Sequence, residues 1–395
     1  MTLKNVVIID GCRTATGKFG GSLSEIPASI HGGECVKALI ERTGIKKELI
    51  DEVIIGTLFQ AGTKGNPARQ CTIYGGLPET TPAFTPTKNC ATAMKAIQLA
   101  AQSIMVGDNE IVIAGGAETM SAIPYILLKA RFGYRMGAGK IEDSMLHDGL
   151  IDPFMNYHMG VTAENVADMC NVTREEMDMF SLESHIKAGK AWASGKYNDD
   201  IIPITIKTKK GDMIFKEDET YVKNPQYENF EKLRPVFKEN GKVTAGNSSP
   251  INDGSAIMLM MSEEKAIELG YKPIVKYVTA VSTALNPSIM GYGPVSAIKK
   301  LVKKSGISID DVGLIEINEA FAAQVIACIK DLGLKPEIVN VNGGAIALGH
   351  PVGSTGCRIS LTLIREMKRR NIKYGIASLC IGGGQAMAIL FELYE

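Results

Sequence analysis

The sequence predicts an α/β fold in which helices cover β-sheets, arranged as two related halves with a large insertion. Three observations predict it. Short β-branched runs alternate with helix-length periodic segments. The order helix, loop, strand, glycine cluster runs from 91 to 116 and recurs from 355 to 384. Between about 120 and 249 this regular pattern loosens. A chain of 395 residues is also longer than one hydrophobic core usually supports, so two domains or more are expected.

The elements follow in order. "VVIID" (6–10) reads as a first strand; the N-terminus lacks the long apolar run and small-residue cleavage site of a signal peptide. "IHGGECVKALIERTG" (30–44) reads as a helix and "EVIIG" (52–56) as a strand. "ATAMKAIQLAAQSIMVG" (91–107) is a helix that begins just after Cys90, with Met94, Ile97, Ala101 and Ile104 at helical spacing and Asn89 as its expected N-cap. "EIVIAGG" (110–116) is the next strand. The stretch 120–249 is rich in Met, Asp, Lys and Tyr, and "KTKKGDMIFKEDETYVKNPQYENFEKLRP" (207–235) is polar and turn-rich. Helical segments at 162–170 and 174–194 argue against disorder, so the region reads as a loop domain over a site. "VGLIEIN" (312–318), the helix "TGCRISLTLIREMKRRN" (355–371) and "YGIASLC" (374–380) complete the second half. "DEVIIGTLFQ" (51–60) precedes the first copy of the repeated unit and "DDVGLIEINEAFA" (310–322) the second. Duplication brings equivalent loops together at one end of paired sheets.

Composition narrows the function. Apolar residues make up 45% and charged residues 22%, ordinary values for a globular protein. Lys plus Arg and Asp plus Glu are equal at 43 each, which argues against a dedicated nucleic-acid or membrane-surface protein. No run approaches 18 apolar residues, so no membrane span is expected. The cysteines stand at 12, 35, 71, 90, 170, 328, 357 and 380, with no C-x-x-C pair, so no metal site is expected. They read as reduced thiols in a cytoplasm.

Chemistry concentrates at a few loop ends. Cys90, at a helix N-terminus, faces unpaired N–H groups and the positive end of the dipole, which favour thiolate. The plainer reading makes it a packing residue on a buried turn. His350 lies in "NGGAIALGHPVGSTGCR", among glycines that let backbone approach another group. That loop is neither a P-loop nor a dinucleotide fingerprint. The plainer reading is a turn histidine bonding its own loop. Cys380 ends a strand just before Gly382, Gly383 and Gly384, at the end of the sheet where α/β folds place ligands. Gly382 and its neighbours would offer N–H donors there. Asn318 and Glu319 follow another strand; Asn318 suits holding a water, polarising a carbonyl, or capping a helix. Two cysteines and a histidine at loop ends point to covalent thiol chemistry with a separate proton-transfer group. Cys12, Cys35, Cys71, Cys170, Cys328 and Cys357 read as packing residues, and His31, His147 and His185 have no supporting motif.

Seven blocks, in order, resemble the thiolase family over essentially the whole chain: "NCATAMKAI", "GGAETMS", "YHMGVTAENVA", "VTAGNSSPINDGSA", "NEAFAAQ", "NVNGGAIALGHPVGSTGCR" and "CIGGGQAMA". The histidine and C-terminal cysteine blocks are specific when found together. "YHMG" and "SIMGYGP" look like the short-chain, biosynthetic acetoacetyl-CoA type. The resemblance implies two βαβαβαββ halves forming a layered α-β-α-β-α core. The N-terminal half would span 1–270, with its core at about 1–119 and 250–270 and the loop domain at about 120–249; the C-terminal half would span 271–395. It implies that Cys90 takes the acyl group, and that His350 activates it and forms an oxyanion hole with a water held by Asn318. Cys380 would shuttle the α-carbon proton, with the N–H groups of Cys90 and Gly382 as a second oxyanion hole. Ser249 would meet the pantetheine arm; His158, Met159, Met290 and Phe321 would line the acyl and pantetheine region. Lys223 would stand in for the arginine that often approaches the nucleotide. Ala93 and Pro250 stand where glycine is common.

The activity implied is that of an acetyl-CoA C-acetyltransferase: reversible Claisen condensation of two acetyl-CoA to acetoacetyl-CoA plus CoA, in fatty acid metabolism. CoA thioesters are substrates, and no tightly bound cofactor is expected. The alternatives are a degradative 3-ketoacyl-CoA thiolase of broader chain length, a non-catalytic acyl-CoA or lipid-binding relative, and a cysteine hydrolase that would not need Cys380. A homodimer joined at the first-half sheet, or a homotetramer using part of 120–145, is expected. A Cys90–Cys380 disulfide is a further expectation, provided the Cα atoms come within about 7 Å.

Overall fold

The structure, a computed structural model, describes residues 3–209 and 211–395. The first half runs β1 (Val6–Thr14), α1 (Ala28–Thr43), β2 (Glu52–Gly56), α2 (Pro67–Tyr74), β3 (Ala83–Phe84), α3 (Thr92–Val106) and β4 (Ile111–Thr119). The loop domain contributes α4 (Met159–Met169) and α5 (Arg174–Ala193), and β5 (Asn252–Ser262) closes the half. The second half runs β6 (Val275–Ala284), α6 (Gly293–Ser305), β7 (Val312–Ile317), α7 (Ala322–Leu332), α8 (Val352–Arg370), β8 (Tyr374–Ile381) and β9 (Gln385–Leu393).

The halves repeat each other strand by strand. Hydrogen bonds join them in one sheet of order β7-β8-β9-β6-β1-β5-β4-β2-β3. Its middle is the antiparallel pairing of Val6, Val7 and Ile8 with Tyr277, Lys276 and Val275. A register shift at Ile8/Asp10 in β1 is matched by one at Tyr277/Thr279 in β6. In each half the pair farther out is parallel: β2 with β4, and β7 with β8. The counterpart of the short β3 is the single parallel bridge Ile315–Val339. This is the βαβαβαββ order twice over.

Packing makes the layers. The outer face of the first half buries Val36, Leu39, Ile55 and Leu259 under α1 and α2. The outer face of the second buries Ile298, Leu301, Val325 and Leu390 under α6 and α7. Between the halves, α3 and α8 share a core that draws Met94, Ile97 and Met258 from one and Leu361, Leu379 and Met387 from the other. The order is therefore α-β-α-β-α, although backbone hydrogen bonds run from one sheet layer into the next. The two central helices approach closely: a Cβ at Gly356 would lie 2.5 Å from the Met94 nitrogen. A Cβ at Gly116 would lie 2.0 Å from the Gly353 oxygen and 2.9 Å from the Ala93 methyl, so the glycine at 116 accommodates the alanine at 93.

Buried polar groups tie the loop domain to this core. Arg13 forms a two-point ion pair with Asp218 at 2.7 and 2.9 Å, both side chains buried. Glu319 accepts hydrogen bonds from Ser184 of α5 at 2.7 Å, Asn340 at 2.9 Å and the Ile346 nitrogen at 3.1 Å. Thr173 and Glu176 close a capping box at the start of α5. Among the described residues, no helix is long and apolar enough to cross a membrane.

His31 bridges Ser255 at 2.6 Å and Thr119 at 2.9 Å, fully buried. Burial pushes its pKa down to about 3, that of His185 to about 4 and that of His350 to about 3. An unfolded histidine takes a proton below about 6.5, whereas these rings stay neutral when folded. The unfolded chain therefore binds more protons, and stability falls as pH drops from about 6.5 toward 3. Denaturant midpoints measured at pH 7.5 and 5 are expected to fall together with pH, and His31→Gln to flatten the slope; a midpoint constant over that range contradicts the assignment.

Candidate active site

Cys90 belongs to a 3-10 turn, Asn89–Ala91, that leads into α3. Asn89 is not the expected cap. Its φ is +45°, and its side-chain amide reaches across to donate to the Gly382 carbonyl at 3.2 Å. The Gly382 N–H in turn faces the Cys90 sulfur, where it favours the thiolate. Both polar groups of one glycine are thus engaged by the turn that carries the thiol. Burial pushes the Cys90 pKa up, and the N–H groups of Gly382 and Cys90 itself offset this only in part. The resting group is a thiol, not the thiolate that the helix dipole alone would favour, because the desolvation cost is the larger effect.

His350 lies two residues before α8, as Cys90 lies two residues before α3. Gly349 makes the approach possible: its φ is +91°, and a Cβ there would lie 2.6 Å from the Asn252 side chain. Asn252 accepts the His350 backbone N–H at 2.9 Å. The ring Nδ1 sits 2.7 Å from the Thr355 hydroxyl, which donates to the Pro351 carbonyl at 2.8 Å. That hydroxyl hydrogen being used, Nδ1 carries the ring proton and Nε2 keeps a lone pair. The Asn318 amide nitrogen lies 3.4 Å from Nε2, and its oxygen is buried without a protein partner. Burial, helped by the charge of Arg358, keeps the ring neutral at physiological pH. It is a base awaiting a proton.

Cys380 ends β8, fully buried in a cluster with Met159, Val243, Met290 and Phe321. Burial first, and the neighbouring Cys90 thiol second, raise its pKa well above the ordinary cysteine value. The glycines after it have distinct causes. A Cβ at Gly382 would lie 2.8 Å from the Met159 methyl, and Gly383 and Gly384 have φ of +83° and +77°. At Gly384 a Cβ would also lie 2.4 Å from the Leu285 oxygen.

These groups meet a mostly apolar cavity of about 360 Å³. Cys90, His158, Met159, Ser249, Met290, Phe321, His350 and Gly382 lie in its wall. Asn318 and Cys380 stand just behind that wall, in contact with His350 and Met159 respectively. Lys223 does not join them: it is exposed and paired with Glu217 at 3.0 Å. Its neighbour Val222 lines a second groove of about 440 Å³, which shares Ala245, Ser248 and Pro250 with the cavity. His158 caps α4 by accepting the Gly160 N–H at 3.0 Å and stacks on Phe237 with ring centres 4.6 Å apart. Phe237 meets Phe321 edge-on at 6.2 Å, giving one flank of the cavity an aromatic face. Phe237 was not among the expected site residues, nor were Leu58, Met120 and Val352, which line the wall near Cys90. A lone aromatic in a polar, turn-rich stretch carries no periodic signal. All eight cysteines are free thiols in this structure, Cys90 and Cys380 included.

Comparison with known proteins decides the family. Residues 6–264 match the thiolase N-terminal domain and residues 271–393 the thiolase C-terminal domain. The chain belongs to the thiolase family. An acetyl-CoA acetyltransferase of Chromobacterium violaceum is 50% identical over 388 residues, covering 98% of this thiolase and 99% of the relative. One from Syntrophomonas wolfei is also 50% identical, over 393 residues, with the same coverage. A crystal structure of the Bacillus anthracis acetyl-CoA acetyltransferase matches this thiolase with a TM-score of 0.97 at 42% identity, covering 99% of each chain. Each half of the thiolase sends one central helix to the site, with Cys90 at one helix start and His350 at the other.

Proposed function

We propose that this thiolase is an acetyl-CoA C-acetyltransferase, an acyltransferase that joins two acetyl-CoA into acetoacetyl-CoA and CoA and runs equally in reverse. One observation carries the reading: two protonated thiols and one neutral imidazole converge on an apolar cavity with backbone N–H donors at the sulfur. Full-length relatives bearing that name support it.

The geometry suggests the steps. As the Cys90 sulfur attacks the thioester carbon, its proton passes to Nε2 of His350, since the resting pair is thiol and imidazole. CoA leaves as a thiol, taking a proton back. A second acetyl-CoA then loses an α-proton to the Cys380 sulfur, whose own proton has first passed to the neutral Nε2 of His350. The carbanion attacks acyl-Cys90, whose sulfur is expelled and takes that proton from His350. Oxyanions are stabilised at the Cys90 and Gly382 N–H groups and at a water held by Asn318 near His350, each donor contributing about 3–4 kcal/mol. Ser249, the His158–Phe237 stack and Phe321 receive the pantetheine arm. The shared groove beside Val222 brings the nucleotide end of CoA to the side of the loop domain that carries Lys223.

Met159, Met290 and Phe321 close around Cys380, which supports a short acyl group. Acetoacetyl-CoA cleavage is expected to exceed that of 3-ketohexanoyl-CoA by at least about tenfold in kcat/KM. Comparable rates on both would establish the broader degradative enzyme instead. The reading uses no resident cofactor. It includes a cytoplasmic enzyme of fatty acid metabolism. It also includes a homotetramer, supported by large apolar side chains exposed on 125–141, among them Phe132 at 89% and Met136 at 97% exposure.

A further inference from the structure

The duplicated ladders reveal a second crossing like the one at Gly382. From the central pairing, Val6 corresponds to Val275, and the registers carry Ser262 onto Leu393, Gly254 onto Gln385 and Glu118 onto Ile381. Glu118 therefore stands at the end of its strand where the other half has the residue before Gly382. At the Gly382 crossing, a second-half strand end meets the first-half turn that carries Cys90. At the Glu118 crossing, a first-half strand end meets the second-half helix that follows His350.

The contacts there are specific. One carboxylate oxygen of Glu118 accepts from the Thr57 hydroxyl at 2.6 Å and the Phe59 N–H at 3.3 Å; the other accepts from the Leu58 N–H at 2.8 Å. The backbone N–H of Gly353, in the first turn of α8, faces this carboxyl group and partly offsets the rise that burial gives its pKa. A Cβ at Gly353 would lie 2.5 Å from the Glu118 oxygen and 3.1 Å from the Thr57 Cα, so only glycine lets the helix come so close. Glu118 is 1% exposed, a costly place for a carboxyl group unless its hydrogen bonds are needed. Leu58 and Val352, one from each of the two segments it joins, both line the cavity.

We propose that Glu118 is a positioning residue of the acyl-transfer reaction, fixing the first turn of α8, and with it His350, against the 57–59 segment. It touches no reacting atom and acts through the backbone. The inference rests on the proposed function for the identity of the reaction, not for the geometry. Glu118→Gln is the first test. Both oxygens accept N–H or O–H donors, so an amide in either orientation sets an NH2 group against a donor. A displacement on the order of an ångström at a reacting group can cost about 100-fold. The expected result is a kcat for acetoacetyl-CoA cleavage lowered at least about tenfold with KM within about twofold, because the pantetheine wall is built elsewhere. Alkylation of Cys90 by iodoacetamide, measured without substrate, slows in parallel. Glu118→Asp, which keeps two acceptor oxygens, recovers part of both rates. A folded Gln variant with kcat and alkylation unchanged, or with only KM raised, overturns the inference. If the Gln variant does not fold, Gly353→Ala takes its place, with the same two outcomes. Wild-type enzyme that alkylates rapidly but does not cleave acetoacetyl-CoA refutes the proposed substrate, and the alkylation comparison still decides the role of Glu118.

Discussion

Cys90→Ala is expected to lower kcat for acetoacetyl-CoA cleavage by about 10⁴-fold or more while leaving the fold intact. The side chain is small and already borders the cavity, so its loss opens little space. What disappears is the atom that holds the acyl group between the two half-reactions. Tm should move by no more than a few degrees, and binding of CoA should persist, because Ser249, Phe237 and Phe321 remain in the wall. Steady-state assays with a thermal melt on the same sample read both quantities. Retention of more than about a hundredth of the activity would mean that another group carries the acyl chain.

Cys380→Ser is expected to separate the two halves of the reaction. A serine hydroxyl is far less acidic than a thiol, so removal of the α-proton should slow by about 10²–10⁴-fold. In the proposed steps, transfer of acetyl between CoA and Cys90 uses His350 and the Gly382 N–H, not Cys380. Exchange of labelled CoA into acetyl-CoA is therefore expected to survive within about tenfold while condensation is nearly lost. Equal loss of exchange and condensation would place Cys380 in the acylation step and remove its separate role. The high pKa that burial gives this thiol makes its thiolate, once formed, the stronger base toward the α-proton.

Much of this was legible in the sequence, for reasons that differ by element. α3 and α8 carry clear helical periodicity beside glycine-bounded strands, and the echo between 91–116 and 355–384 is the α3–β4 and α8–β8 pair seen in the fold. β5, β6 and β9 were not read as strands. β5 is buried at every position from Asn252 to Ser262, so it has no alternation, and its methionines favour no single secondary structure. His350 and Cys380 stood out as candidates because glycines mark places where backbone must pass close to another group, and Cys90 because it stands at a helix start. Phe237 and Glu118 were not, because each acts through partners distant in the chain. Lys223 was placed by resemblance alone, and it is exposed and pairs with Glu217 outside the cavity. The helix dipole that favours a Cys90 thiolate is visible in sequence, whereas the burial that opposes it is not.

The central claim is that Cys90 carries the acyl group and Cys380 handles a different proton. The most direct test is to incubate Cys380→Ser with acetyl-CoA, quench in acid, digest, and locate the added acetyl group by mass spectrometry. The account predicts one acetyl group, on the peptide that holds Cys90, and its release when CoA is added back. An unmodified Cys90, or acetyl found on another residue, would contradict it.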